Sequence, residues 1–126
     1  MPINYTLNEK GNPLQPQQPK KWYANAKSTG NITLKTLGKT IAQRSTVSHA
    51  DTQAVLAALT EVLVEHLADG KIVRLGDFGA FQVSISSEGI EAKDKFNASL
   101  IKGSKVVFRP GIDLKEMLNN MKFEKI

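Results

Sequence analysis

The first strong pattern in the chain is an amphipathic one that begins at Thr33. Leu34, Leu37 and Ile41 recur every three or four residues, which brings them onto one face of a helix. The pattern stops near Ser45. We therefore predict a short amphipathic helix over this segment.

A second and longer apolar stripe follows Ser48. The Ser48 hydroxyl is placed to accept a hydrogen bond from the free amide of Asp51, whose carboxylate also suits the positive end of a helix. Gly70 falls where a left-handed C-terminal cap would end this helix. The stripe is wider than one short helix can cover, which indicates a core shared between subunits. It comprises Val55, Leu56, Leu59, Val62, Leu63 and Leu67.

After Gly70 the pattern changes from helical spacing to strand alternation. Residues 72–75 and 81–85 alternate around a bend at residues 77–79. After an excursion over residues 86–103, residues 104–109 predict a third strand. The pattern is typical of a three-stranded sheet.

A short helix is predicted after the last strand. Pro110 and Gly111 end that strand, and residues 112–121 return to helical spacing. Two helices, three strands and a terminal helix indicate an α+β fold.

One face of this sheet is a candidate binding surface. Side chains alternate across a strand, so the residues of the core determine where their neighbours point. The core face is assigned to Val73, Leu75, Phe81, Val83, Val106 and Phe108. The opposite face then holds Arg74, Gln82, Ser84, Lys105 and Arg109. Three of these five side chains are cationic and none is acidic, which suits a saddle for a phosphate backbone. The solvent faces of sheets also carry lysine and arginine routinely.

Residues 1–30 are predicted to form an N-terminal extension to a domain of residues 31–126. Residues 8–21 contain three prolines and a glycine, which favours a loop of polyproline character. Short edge strands are predicted on either side of it, at residues 3–7 and 22–24.

Composition and charge narrow the classes of function. The chain has 126 residues, of which 40% are hydrophobic, no cysteine and a net charge of +5. Without cysteine there is no disulfide framework and no thiolate metal site. The charge favours anionic partners, and four lysines against one glutamate in residues 1–30 supply +3 of it. Neither a secretory signal nor a membrane span is predicted.

Catalytic and metal-binding patterns are missing from the sequence. His49 and His66 are 17 positions apart on one predicted helix, so they cannot share a metal at helical spacing. His49 is expected on the surface and His66 partly packed. No phosphate-binding glycine loop, nucleophile elbow or His-Glu-x-x-His motif is present. We expect neither an enzyme nor a cofactor.

Two short motifs carry a resemblance to a known family. They are Phe78-Gly79-Ala80-Phe81 and Phe108-Arg109-Pro110-Gly111, the second of which continues through Ile112-Asp113-Leu114-Lys115. With the order of elements over residues 32–121, they resemble the Gly-Phe-Gly-x-Phe and Phe-Lys/Arg-Pro-Gly-x-x-Leu-Lys signatures of the bacterial histone-like HU and integration host factor family.

The resemblance implies an HU-like α+β fold. This fold has a helical hairpin, a three-stranded antiparallel sheet with a β-arm and a short C-terminal helix, in an intertwined dimer. In family members the two β-arms embrace the minor groove of duplex DNA, and a proline at each tip is wedged between base pairs.

The chain departs from this family pattern in the arm. Residues 86–97 contain neither proline nor arginine, and their charges nearly cancel. Phe96 is the only bulky apolar candidate for insertion, and we expect it to pack on the body with the arm folded back. Asp77 stands where the family commonly has glycine, which brings a negative charge near the saddle.

The extension resembles that of a histone-like subgroup through residues 12–13, Asn-Pro, and residues 19–23, Pro-Lys-Lys-Trp-Tyr. Lys20 and Lys21 could grip phosphate while Trp22 or Tyr23 stacks on a base. Anchoring of the extension to its own domain by the two rings is the favoured interpretation.

The predicted function is that of an architectural, histone-like protein of the cytoplasmic nucleoid. As a homodimer it binds duplex DNA with little sequence specificity through the basic saddle, and no membrane, metal or small-molecule substrate is involved. The alternative is a dimerisation or protein-interaction module on an HU scaffold that has lost DNA bending. The residues expected to contact DNA are Arg74, Lys93, Lys95, Lys102, Lys105, Arg109, Lys115, Lys20 and Lys21.

Overall fold

The structure is a computed structural model that describes residues 2–126, and the chain divides into two compact units. The terminal unit combines the residues up to Thr33 with Met117–Ile126, and the central unit is Leu34–Glu116. The sequence pattern did not associate the last ten residues with the N-terminal strands. Within the described part of the chain, no helix has the length and apolar character needed to cross a membrane.

Two helices begin the central unit, as predicted. They are α1 (Leu34–Gln43) and α2 (His49–Ala68). The Ser48 hydroxyl accepts a hydrogen bond from the Asp51 amide at 3.1 Å, which confirms the predicted cap. At the other end Gly70 has a φ of +80°, the left-handed conformation expected of it.

The two helices approach each other closely at Gly38. This glycine is buried, and a Cβ atom there would meet the side chain of Gln53 on α2. The Gln53 side-chain amide donates to the backbone carbonyl of Lys35 at 2.8 Å, which ties α2 to the first turn of α1. A polar side chain therefore fixes the crossing of this helical hairpin.

Three antiparallel strands complete the central unit in the order β3 (Val73–Arg74), β4 (Gly79–Ser87) and β5 (Ile101–Pro110). The predicted sheet is confirmed, but its long strands extend further than predicted. The excursion between them is residues 88–100 rather than 86–103, and it contains two short 3-10 turns. The following helix, α3 (Ile112–Asn119), ends two residues before the predicted boundary.

The phenylalanines of the two signature motifs form one cluster on the apolar side of this sheet. The Phe108 ring lies 4.8 Å from that of Phe81 and 5.7 Å from that of Phe78, centroid to centroid. Gly79 makes this packing possible, since a Cβ atom there would lie 2.6 Å from both the Arg109 carbonyl oxygen and the Phe108 ring. Phe108 therefore packs against both other rings, while Phe78 and Phe108 themselves remain 47% and 37% exposed.

The Pro-Gly motif closes against the bend before β4. The Gly111 amide donates to the Phe78 carbonyl at 2.8 Å, and the Asp113 amide donates to the Asp77 carbonyl at 3.1 Å. A Cβ atom at Gly111 would run into the backbone of Asp77. The two motifs, some thirty residues apart in sequence, therefore form a single corner of the central unit.

The terminal unit is a second three-stranded sheet, in the order β2 (Lys21–Lys27), β1 (Ile3–Lys10) and β6 (Phe123–Lys125). β1 and β2 pair antiparallel, whereas β6 pairs parallel to β1. The predicted strands at residues 3–7 and 22–24 are confirmed and are longer than predicted. Nothing in the sequence had indicated β6.

Burial in the described chain is unusually incomplete. Among residues 2–126, no hydrophobic side chain is fully buried. Val55, Leu59 and Val62 form an exposed stripe along α2, and Leu56 and Leu63 on its other side are only half-buried. His66 is exposed as well, so the expectation that it is partly packed is wrong.

Candidate nucleic-acid interface

The polar side of the β3–β4–β5 sheet brings together the three cations expected there. Ala80 on β4 pairs with Arg74 on one side and Arg109 on the other, so the two arginines flank one small residue across the sheet. Four residue pairs further along, Ser84 pairs with Lys105. We call this the basic sheet face, formed by Arg74, Ala80, Gln82, Ser84, Lys105, Val107 and Arg109.

The opposite side of the same strands is apolar, as predicted. Phe81 pairs with both Val73 and Phe108, and Val83 pairs with Val106. This register confirms the predicted alternation, because a shift by one residue would have exchanged the two faces. Val107 pairs with Gln82 and so lies among the cations. Its face was not predicted from the sequence.

The surface between the arginines is open and free of bulky side chains. A shallow depression of about 190 Å³ lies there, and its lining includes Arg74, Ala80, Gln82 and Arg109. A second depression of about 300 Å³, lined by Ser84, Gly103 and Lys105, continues along the strands. Small side chains between cations allow a phosphate backbone to approach the sheet closely.

The three cations of the basic sheet face are exposed, and none has an acidic partner. Within the described residues, the ion pair that is present joins Lys102 to Glu88, with a distance of 2.7 Å between Nζ and Oε1. Arg74, Lys105 and Arg109 are therefore free to neutralise an external anion.

The other residues predicted to contact DNA are not members of this face. Lys93 and Lys95 belong to a 3-10 turn of the excursion, and Lys102 is the bulged residue of β5 beside Glu88. Lys115 lies on α3. Lys20 and Lys21 belong to the terminal unit, just before and at the start of β2.

The sequence led to two expectations about the packing of aromatic rings, one for Phe96 and one for Trp22 and Tyr23. Phe96 is 42% exposed, so its ring is only partly covered. Trp22 and Tyr23 are 64% and 48% exposed, and neither ring is buried as an anchor would be. Asp77 is exposed at the bend before β4, where its backbone carbonyl accepts the Asp113 amide.

A second cationic surface, which was not predicted from the sequence, lies in the terminal unit. Lys10 is the register partner of Lys21, and Lys27 pairs with Asn4. Residues 3–10 and 21–27 do alternate in the sequence, but only the pairing of the two strands shows that their lysines share one face.

The fold is similar to two solved structures. The first, assigned as a bacterial DNA-binding protein from Bacteroides vulgatus, matches with a TM-score of 0.65 at 14% identity, over 98% of this chain and 48% of that one. The second, HU from Anabaena in a cocrystal with DNA, matches with a TM-score of 0.54 at 24% identity, over 71% of this chain and 99% of that one. The chain thus spans about half the length of the Bacteroides protein. At these identities the likeness shows an HU-like fold.

No curated protein matches the chain significantly. A family model does match it, over residues 1–125, and that family is described as an HU domain fused to wHTH, Ig, or glycine-rich motif. The match covers nearly the whole length of the chain, which therefore belongs to this HU-domain family.

Proposed function

We propose that the protein is an architectural DNA-binding protein that contacts the phosphate backbone of duplex DNA through the basic sheet face. The observation that carries this proposal is the placement of Arg74, Lys105 and Arg109 on one exposed face without an acidic neighbour in the register. Each phosphate that such a cation neutralises releases a condensed counterion, which makes binding favourable at low salt. The HU–DNA cocrystal among the similar structures supports the same role.

The basic sheet face favours binding without strong sequence preference. Its cations point from a sheet whose other polar members are short, namely Gln82 and Ser84. Phosphate contacts position a protein on DNA, whereas base-edge contacts specify sequence. The proposed role is therefore one of binding and compaction in the nucleoid rather than sequence-specific regulation or catalysis.

The other predicted contacts have supporting roles in this proposal. Lys93, Lys95 and Lys102 would meet DNA that extends beyond the sheet. Lys102 would first have to leave Glu88, which costs little because both side chains are more than half exposed. The excursion has no proline, so the proposal includes no proline wedge. Lys115 adds charge to α3, and Lys20 and Lys21 extend the contact to the terminal unit.

We further propose that the binding species is a homodimer. The exposed stripe of Val55, Leu59 and Val62 follows one side of α2, and no hydrophobic side chain among residues 2–126 is fully buried. Contiguous exposed apolar surface of this kind marks an interface. A second copy that covers the stripe would supply the core that a single chain lacks, as the intertwined dimer of the HU family implies.

The dimer is tested by its mass. We expect sedimentation equilibrium to give twice the chain mass for the wild type. The Leu59→Glu variant should give a monomer or unfold, because it would place a charge inside the shared core. A monomeric wild type at micromolar concentration would contradict the dimer.

DNA binding is tested by charge reversal on the basic sheet face. In fluorescence anisotropy with a labelled random-sequence duplex, Arg74→Glu/Lys105→Glu should abolish binding while sedimentation still reports a dimer. Unchanged affinity of that variant would show that DNA binds elsewhere.

A second candidate function is supported by the excursion. Residues 88–100 carry Glu88, Glu91 and Asp94 against Lys93 and Lys95, and they form turns rather than a long paired arm. An arm of this kind fits an HU-scaffold module that holds a protein partner. No binding of the wild type to duplex even at low salt would favour this candidate.

A further inference from the structure

The sheet of the terminal unit has two faces of opposite character. On one side Ile3, Tyr5, Leu7, Ala24, Ala26 and Phe123 line an apolar depression. The register places a different set on the other side, because residues that pair across two strands share a face. We call it the lysine face, and its members on β1 and β2 are Asn4, Thr6, Asn8, Lys10, Lys21, Tyr23, Asn25 and Lys27.

The lysine face is polar throughout, with Lys10 and Lys21 at one end and with Lys27 and Glu124 on either side of Asn4 at the other. Lys10, Lys21 and Lys27 are exposed, and none of them takes part in the ion pair found within the described residues. Among the β6 residues, Glu124 joins this face beside Asn4, so the charge of the face is three lysines against one glutamate. Three of the four lysines in residues 1–30 therefore lie on a single surface.

Lys10 and Lys21 lie directly opposite each other in the antiparallel ladder. Like charges at such positions have Cβ atoms about 5 Å apart and destabilise the pair. Lys20 adds a third positive charge next to them, with its side chain against Gly11. An anion bound between the opposed ammonium groups would relieve this repulsion, so the arrangement suits a bound state better than the free protein.

The remaining side chains of the lysine face suit a nucleic-acid backbone rather than a small anion. Asparagine and tyrosine side chains are regular partners of phosphate and sugar oxygens, and Tyr23 is 48% exposed between the two ends. Lys21 and Lys27 are six positions apart on one strand, which is about 20 Å in extended backbone. That length equals about six base-pair rises along the axis of duplex DNA.

We propose that the lysine face is a second DNA-backbone surface, with the opposed Lys10 and Lys21 gripping phosphate at its loop end and Lys27 at the other. This inference rests on the proposed function and deepens it, since it assigns a duplex contact to the terminal unit that does not depend on the cations of the basic sheet face.

The test is the salt dependence of binding to a labelled random-sequence duplex. Each lost phosphate contact lowers the slope of log K against log salt by about 0.9, so Lys10→Gln/Lys21→Gln should flatten it by about 1.8 for each protomer whose lysine face is bound. The matched control is Lys35→Gln/Lys39→Gln, which removes two exposed lysines from α1 and should leave the slope unchanged.

Thermal unfolding separates a binding role from a structural one. Because Lys10→Gln/Lys21→Gln removes a repulsive pair, the unfolding midpoint of the free variant should equal or exceed that of the wild type.

The salt slopes of two variants separate the two proposals. If the slope is unchanged in Lys10→Gln/Lys21→Gln but flattens in Arg74→Gln/Arg109→Gln, DNA binding by the lysine face is overturned and the proposed function remains intact. Absence of duplex binding by the wild type would overturn both. If Lys35→Gln/Lys39→Gln flattened the slope by the same amount, DNA binding by the lysine face would also be overturned, because the effect would then come from net charge.

Discussion

Each of the two three-stranded sheets of this protein has one apolar and one cationic face. The sheets differ in how their strands are paired. In the central unit all neighbouring strands are antiparallel, and they come from residues 73–110. In the terminal unit β1 pairs with β2 across a proline-containing loop, and it also pairs in parallel with β6, about 120 residues away in sequence. Both cationic faces therefore arise from antiparallel pairs, and the distant strand β6 contributes Glu124 rather than a cation to the lysine face.

The cationic faces of the two sheets differ in chemistry as well. The basic sheet face sets Arg74 and Arg109 on either side of Ala80, whereas the lysine face sets Lys10 directly opposite Lys21. Arginine forms planar, paired hydrogen bonds with phosphate, while lysine acts as a point charge. We expect the first surface to orient the phosphate backbone more strictly than the second, while both add affinity that falls as salt rises.

The largest effect is expected from a substitution that disrupts the corner on which only the central sheet depends. Gly79→Ala would push a Cβ atom against the Arg109 carbonyl and the Phe108 ring, with little room to relax. We expect the free energy of unfolding to fall by about 3 kcal/mol, as measured by chemical denaturation. Gly103→Ala is the matched control. Its Cβ atom would meet only the Ser86 hydroxyl at 3.9 Å, and a loss as large as that of Gly79→Ala would contradict the assigned corner.

The next largest effect is expected in DNA binding by the basic sheet face. Arg74→Gln/Arg109→Gln removes two phosphate contacts from each protomer, so the slope of log K against log salt should flatten by about 1.8 per protomer. Anisotropy titrations at several salt concentrations measure this slope. Gln82→Ala on the same face lacks a charge to remove and serves as the control. If both variants changed the slope equally, the charges of the two arginines would not carry the interaction.

A smaller effect is expected from a substitution in β6, the strand that pairs in parallel with β1. Phe123 pairs with Ile3 across the β1–β6 ladder and is largely exposed. Phe123→Ala should lower the free energy of unfolding by about 0.2–1 kcal/mol, the range of a cross-strand pair. Hydrogen exchange should show faster exchange at the amide of Ile3, which donates to Lys122, and no change in β4 and β5. Faster exchange in all strands would mean that the two sheets unfold as one.

The smallest effect is expected at Lys102. Its ion pair with Glu88 is solvent-exposed, so Lys102→Gln should change the free energy of unfolding by less than about 0.5 kcal/mol. In the salt titration the same variant should flatten the slope by about 0.9 for each protomer if Lys102 leaves Glu88 to bind phosphate. Glu88→Gln, which frees Lys102 without removing it, should bind DNA at least as tightly as the wild type. Weaker binding by Glu88→Gln would contradict this role of Lys102.

Most of the central unit could be predicted from its sequence because its determinants are local. Ser48 and Gly70 mark the ends of α2 by their own hydrogen bonding and backbone conformation, and the alternation of residues 81–85 determines which side chains face the core. The cations of the basic sheet face follow from that alternation alone. The strand ends were less predictable, since the paired residues up to Ser87 and from Ile101 are polar or interrupted by glycine.

The terminal unit could be predicted only in part, for a physical reason. The segments of β1 and β2 alternate in sequence, but their register depends on how the loop between Lys10 and Lys21 closes. β6 has three residues, too few for any periodic signal, and its pairing with β1 is decided by tertiary structure. The opposed lysines were therefore invisible until the strands were aligned.

The most direct test of the account is the salt dependence of wild-type binding to a random-sequence duplex, measured by fluorescence anisotropy. Three cations on the basic sheet face of each protomer predict a slope of log K against log salt of about −5 for a dimer, and a steeper one when the lysine face is engaged as well. Binding with such a slope would support contact through the phosphate backbone. A slope near zero, or no binding at low salt, would contradict it.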